Sequence, residues 1–144
     1  MSIKQISVFM ENKPGMLEEM TEALAKNDID LRAISLAEAT DFGIARLIVD
    51  DVYETTTVLK DAGFVHRLVD VLAVEIPDVP GGLNKVLKCL SDNEINLDYM
   101  YAFLGGKDVN QAFMILKVEQ VEKASDALLA KGFVLVDQDH IEEV

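Results

Sequence analysis

The chain has 144 residues, 50% of them hydrophobic, with 26 acidic against 13 basic side chains and a formal charge of −13. That length fits one domain or two small ones, and the apolar share is large enough for a core. The acidic surplus repels phosphate backbones and anionic lipid surfaces, which argues against nucleic acid or a membrane as partner.

The first segment, "MSIKQISVFM", places Ile6, Val8 and Met10 at every second position and predicts a strand. Behind Pro14-Gly15, the apolar residues Leu17, Met20 and Leu24 recur at helical spacing. "DLRAISLAEA" and "GIARLIVDD" predict two strands about the turn signal "TDFG", and "VYETTTVLKDAG" predicts a helix closed by Gly63. A short strand is expected from Phe64. The same order then returns: a strand at "LAVEI", a helix carrying Leu83, Val86, Leu87 and Leu90, and strands at "LDYMYAFL" and "QAFMILKV". A helix through Val121, Ala124 and Leu128 and a last strand at "FVLV" close the second round.

The chain therefore repeats itself. Shifted by 66 residues, Pro14-Gly15 falls on Pro80-Gly81, Leu17 on Leu83, Leu24 on Leu90, and "NDIDL" on "NEINL". Further on, Ala45 matches Ala112 and "GFV" at 63–65 matches "GFV" at 132–134, so the shift grows through small loop insertions. The pattern is β-α-β-β-α-β twice, which predicts an α+β fold of two ferredoxin-like units with antiparallel sheets and both helices on one face. The units are expected at residues 1–70 and 71–144, with no linker between them and with mutual support, because about 70 residues bury little surface alone.

The doubled loops "ENKPGML" and "PDVPGGL" open helices at equivalent positions. Glycine lets another molecule approach the backbone, and proline suits a helix's first turn. The N–H groups of Gly15, Met16 and Leu17, with Gly81, Gly82 and Leu83 in the second copy, together with the helix dipole then form a receptor for a carboxylate. Asn12 and Asp78 precede these loops, and Asp30 and Asn96 follow each by 18 residues at the start of a strand. One carboxylate and one carboxamide per copy match the ammonium end of a free amino acid. The alternative for every one of these residues is plain capping and turn chemistry, inherited twice by duplication.

These features resemble the ACT domain, an amino-acid-sensing regulatory module, and the resemblance covers nearly the whole chain as two copies. It implies a stand-alone tandem ACT protein, without catalytic residues or cofactor, that binds an amino acid between paired units aligned edge to edge. Carried over by position, the ligand-binding residues are Asn12, Gly15, Met16, Leu17, Asp30 and Leu31, with Asp78, Gly81, Gly82, Leu83, Asn96, Leu97 and Tyr99. Some serine-binding members carry histidine where this chain has Met10 and Ile76, which speaks against serine held in that way. The resemblance also implies a homodimer and a metabolic enzyme or transporter as the regulated partner.

Other residues add little. Tyr99, Tyr101 and Phe103 alternate along one strand and fit either a pocket wall or a sheet contact, facing the small Ala33 and Ser35 of the other copy. Cys89 lies between Leu87 and Leu90 and reads as core; with a single cysteine there is neither a disulfide nor a zinc cluster. His66 and His140 have no Ser, Cys or Asp at triad spacing. No leader peptide and no bilayer-spanning run is expected, and a reducing cytoplasm is the expected compartment. Two other function classes stay open: a small enzyme on the ferredoxin-like scaffold, and a ligand-free assembly module pairing through strand edges.

Overall fold

The computed structural model describes residues 1–103 and 111–144, so the expected strand end at Leu104 lies outside the described residues. By contacts the chain divides into Lys4–Val69 and a second unit made of Met1–Ile3 with Asp70–Val144. The first unit runs β1 (Ile3–Glu11), α1 (Met16–Lys26), β2 (Leu31–Glu38), β3 (Phe42–Val49) and α2 (Val52–Asp61) into β4 (Val65–Pro77). The second continues from β4 through α3 (Gly82–Asp92), β5 (Leu97–Ala102), β6 (Gln111–Val118), α4 (Val121–Ala130) and β7 (Val134–Val136), and ends in a 3-10 helix at Gln138–Glu143. The two strands expected around residues 64–76 are one 13-residue strand, β4. No glycine or proline interrupts "VHRLVDVLAVEI", so nothing breaks it before Pro77.

In the first unit β3 pairs antiparallel with β2 and β1, and β4 neighbours β1. In the second, β6 pairs with β5 and β4, and β7 pairs with β4. This is the order of an α+β ferredoxin-like unit, present twice. Ile6, Val8 and Met10 of β1 share a face with Ala45, Leu47 and Val49 of β3, and that face takes Met20 and Leu24 of α1 and Leu59 of α2. Leu72, Val74 and Ile76 play the same part in the second unit, against Val86, Leu90 and Leu128.

The repeated words in the sequence are chain-reversal chemistry. After α1, Asp28 N–H donates to Ala25 O at 3.1 Å and Ile29 N–H to Leu24 O at 3.0 Å. Glu94 to Ser91 at 3.0 Å and Ile95 to Leu90 at 2.9 Å repeat this after α3. Both are Schellman stops with a left-handed residue after the cap, Asp28 at φ 57° and Glu94 at φ 55°. Asn27 Nδ2 and Asn93 Nδ2 each donate to a carbonyl four residues back at 2.8 Å. "GFV" is the same device after α2 and α4: Phe64 N–H reaches Leu59 O at 2.9 Å and Phe133 N–H reaches Leu128 O at 3.1 Å, with Gly63 and Gly132 left-handed. A glutamate in the left-handed region carries strain that glycine does not. Glu94→Gly is therefore expected to raise stability by about 0.5–1 kcal/mol, read as a higher urea midpoint at unchanged slope. A lower midpoint would contradict it.

Register corrects one alignment. Ala45 stands opposite Val8, and Met114 stands opposite Val74, the counterpart of Val8. Ala45 therefore corresponds to Met114 and not to Ala112. The shift is 66 through β5 and 69 from β6 onward, so a single longer connection between β5 and β6 accounts for the drift. Both second strands also carry a register shift at their first residues, between Leu31 and Ala33 and between Leu97 and Tyr99. A bulge reverses which side chains face the helices. Leu31 and Ile34 thus pack on the first core and Leu97 and Met100 on the second, while Tyr99 and Tyr101 turn away from that face.

Candidate functional site

Each loop before a first helix is built from two tight turns. Lys13 N–H donates to Glu11 O at 3.0 Å, and Val79 N–H to Pro77 O at 2.9 Å. A type II turn follows, with proline at its second position and left-handed glycine at its third: Gly15 has φ 87°, ψ −10° and Gly81 φ 88°, ψ −6°. Met16 N–H closes the first onto Lys13 O at 3.5 Å, and Gly82 N–H the second onto Val79 O at 3.0 Å. Proline thus stands two residues ahead of the helix instead of in its first turn, because the turn needs its fixed φ before the glycine.

This spends one of the three expected donors in each loop, the N–H of Met16 or Gly82. Among the described residues, the N–H groups of Gly15 and Leu17, and of Gly81 and Leu83, meet no acceptor. Among the described residues no side chain caps α1 or α3, whereas Asp51 caps α2 by accepting from Glu54 N–H at 2.9 Å. Helix α4 is also uncapped; what sets α1 and α3 apart is the glycine ahead of them. Among the described residues, the space a Cβ would occupy is open beside both Gly15 and Gly81. The exposed side chains of Asn12 and Asp78 enter no hydrogen bond or ion pair among the described residues.

Gly82 behaves differently from expectation. A Cβ there would lie 2.3 Å from the Pro77 carbonyl oxygen. The second glycine therefore admits the chain's own backbone, not a ligand. Met16 holds the equivalent place in the first loop and its side chain packs on the core, which goes with the longer turn bond there.

The structure does not bring the strand-start residues to their own loops. Helix α1 has 11 residues, a length of about 16 Å at 1.5 Å per residue, and Asn12 and Asp30 lie beyond its opposite ends. Asp78 and Asn96 are separated in the same way by α3. Asp30 is exposed and lies 3.7 Å from Arg32, whose Nε lies 3.7 Å from Asp50. Asn96 Nδ2 donates to Asp98 at 3.1 Å, and Asp98 pairs with Lys117 at 3.3 Å. Asn96 and Leu97 line a depression of about 350 Å³ with Leu87, Ser91 and Glu94. A separate cleft of about 500 Å³ touches Pro77, Gly82, Lys85, Lys131 and Phe133. The side chains of Met16, Leu17, Leu31, Leu83 and Leu97 all pack against the two cores. Tyr99 is half-buried on β5, Tyr101 is buried, and Phe103 meets Phe113 edge to face at 5.9 Å.

The other candidates have structural occupations. Burial pushes the Cys89 thiol pKa up, against the pull of Lys131, and its Sγ donates to Ala127 O at 3.5 Å. His66 Nδ1 lies 3.1 Å from Phe64 O, and His140 is held by Asp137. Among the described residues no cluster of three metal-ligating side chains occurs, and no helix is long and apolar enough to cross a membrane.

The model of the ACT domain pair family matches residues 1–144. A crystal structure of protein BT0572 from Bacteroides thetaiotaomicron is 38% identical, with a TM-score of 0.92 over 100% of this chain and 98% of that one. The regulatory subunits of aspartate kinase from Thermus thermophilus and Thermus flavus share the fold at 17% and 18% identity. Their TM-scores are 0.61 and 0.58, over 88% of this chain and 90% of each of theirs. No curated protein matches.

Proposed function

The chain belongs to the ACT domain pair family, and on that premise we propose that it is a non-catalytic sensor of a free amino acid, working without metal or cofactor in the cytoplasm. The ligand's carboxylate is received by the backbone at Gly15 and Leu17, or at Gly81 and Leu83, and its ammonium by an acidic or amide group such as Asp30 or Asn96. One observation carries this reading: among the described residues, two equivalent helix starts keep backbone donors unspent beside an open left-handed glycine. Because loop and strand start lie at opposite ends of one helix, a ligand held at both ends takes them from different ACT units. Residues 1–70 and 71–144 serve as two such domains, and homodimerisation brings further ones. Differential binding to two arrangements then passes a coupling of about 1–3 kcal/mol to a metabolic enzyme or transporter.

Thermal unfolding in the presence of each of the twenty amino acids tests the reading. One of them is expected to stabilise selectively, by about 2.7 kcal/mol at a concentration of 100 times its Kd. Asn12→Ala removes a side chain with no internal partner, so it should leave the unliganded transition within about 0.5 kcal/mol while weakening the ligand's effect at least about tenfold. Asp30→Ala, which also removes the contact with Arg32 at 3.7 Å, should likewise weaken the ligand's effect. Absence of any selective shift across the panel would overturn the proposal.

A further inference from the structure

Each unit carries a groove between its two helices, and the two grooves have opposite charge. In the first unit, a groove of about 420 Å³ is lined by Glu19, Glu22, Lys26, Val58, Asp61 and Ala62, among others. In the second, one of about 220 Å³ is lined by Lys85, Lys88, Cys89, Asp92, Lys131 and Phe133. The register shifts of 66 and 69 make these the same place: Glu19 corresponds to Lys85, Glu22 to Lys88, Lys26 to Asp92, and Ala62 to Lys131. Duplication has thus been followed by inversion of charge at three of these four positions and gain of a cation at the fourth.

Within each groove one pair is internal. Lys26 bonds Glu22 at 3.1 Å, and Lys88 bonds Asp92 at 3.5 Å. Glu19 and Asp61 on one side and Lys85 and Lys131 on the other have no ion-pair partner among the described residues. All four are exposed. A cationic groove is also not what a chain with a formal charge of −13 would present by composition alone.

We propose that the two grooves are complementary halves of a contact between two copies of this chain, the acidic helix face of one molecule's first unit docking on the basic helix face of the other's second unit. A nucleic acid, an anionic lipid surface or a small anion would account for the basic groove only. A second copy accounts for both. Exposed ion pairs contribute little apiece, about 0–1 kcal/mol, so charge sets partner, orientation and rate. Val58 and Ala62 on one wall and Phe133 on the other provide apolar area.

Charge exchange tests this directly by sedimentation equilibrium at low ionic strength. Glu19→Lys/Asp61→Lys makes both grooves basic, and Lys85→Glu/Lys131→Glu makes both acidic. The wild type should dimerise and weaken with added salt; each variant alone should dimerise at least about tenfold more weakly. An equimolar mixture should regain wild-type affinity, because every contact in the mixed dimer is again of opposite charge. Thermal unfolding of each variant confirms that it is folded. A monomeric wild type, association that ignores the exchanges, or a mixture no tighter than its components would each overturn the proposal.

Discussion

Gly82→Ala should lower the stability of the second unit by about 1–3 kcal/mol, and Gly82→Val by more. The cause is steric. Gly82 is buried at the start of α3, and a Cβ there would stand 2.3 Å from the Pro77 carbonyl oxygen, a backbone atom at the end of β4. That oxygen already accepts from Val79 N–H at 2.9 Å, and Gly82 N–H closes the type II turn at 3.0 Å, so three bonded groups must move together to make room. Gly81→Ala is the informative partner. It has the more demanding dihedral, φ 88°, but among the described residues nothing lies within 4 Å of its Cβ position. Its cost should be the strain of a left-handed residue alone, roughly 1–2 kcal/mol. Urea unfolding of both variants separates the two causes, and an unchanged midpoint for Gly82→Ala would refute the steric account. The pair also bears on the ligand: if amino-acid binding uses the open side of Gly81, Gly81→Ala should impair it directly, whereas Gly82→Ala acts only by displacing the turn.

Most of the architecture was readable because the duplication preserved the residues that end helices and turn the chain. Pro14-Gly15 and Pro80-Gly81, "NDIDL" and "NEINL", and the two "GFV" segments mark a type II turn and two Schellman stops per unit. Those motifs depend on backbone dihedrals that few residue types satisfy, so they survive when surface residues drift. Their origin also shows why the same words are weak witnesses to a site. Asn27 and Asn93 are held by their own helices at 2.8 Å. The bulges after Leu31 and Leu97 could not be foreseen, since alternation in "LDYMYAF" reads equally well on either face until register is known. Nor could the role of Gly82, whose Cβ position is crowded by the Pro77 backbone five residues earlier, the carbonyl oxygen nearest. The inverted grooves were present in the sequence as Glu19 against Lys85 and Glu22 against Lys88. They had no meaning until the helix pairs placed Asp61 and Lys131 beside them.

Leu59→Ala and Leu128→Ala should have the largest effects of single core truncations, about 2–5 kcal/mol each. The two leucines occupy equivalent places, one on α2 and one on α4, and both are fully buried at 0% exposure. Each also lends its carbonyl to the Schellman stop behind its helix, received by Phe64 N–H at 2.9 Å and Phe133 N–H at 3.1 Å. Removing three carbons therefore opens a cavity at the point where helix, sheet and chain reversal meet, and the stop limits how far the helix can sink to refill it. Their environments differ on the facing first helix, while Met100 and Met114 border the second core from its strands. Leu128 packs with Cys89 and Val86 under α3, while Leu59 packs with Met20 under α1. Methionine is unbranched and adapts to irregular space, so the first core should recover more of its loss. Leu128→Ala is accordingly expected to cost more than Leu59→Ala, and equal or reversed losses in urea unfolding would show that the methionine does not move into the gap. Hydrogen exchange gives the complementary reading: protection should fall first at the amides of α4 and β6 in Leu128→Ala, and at those of α2 and β3 in Leu59→Ala.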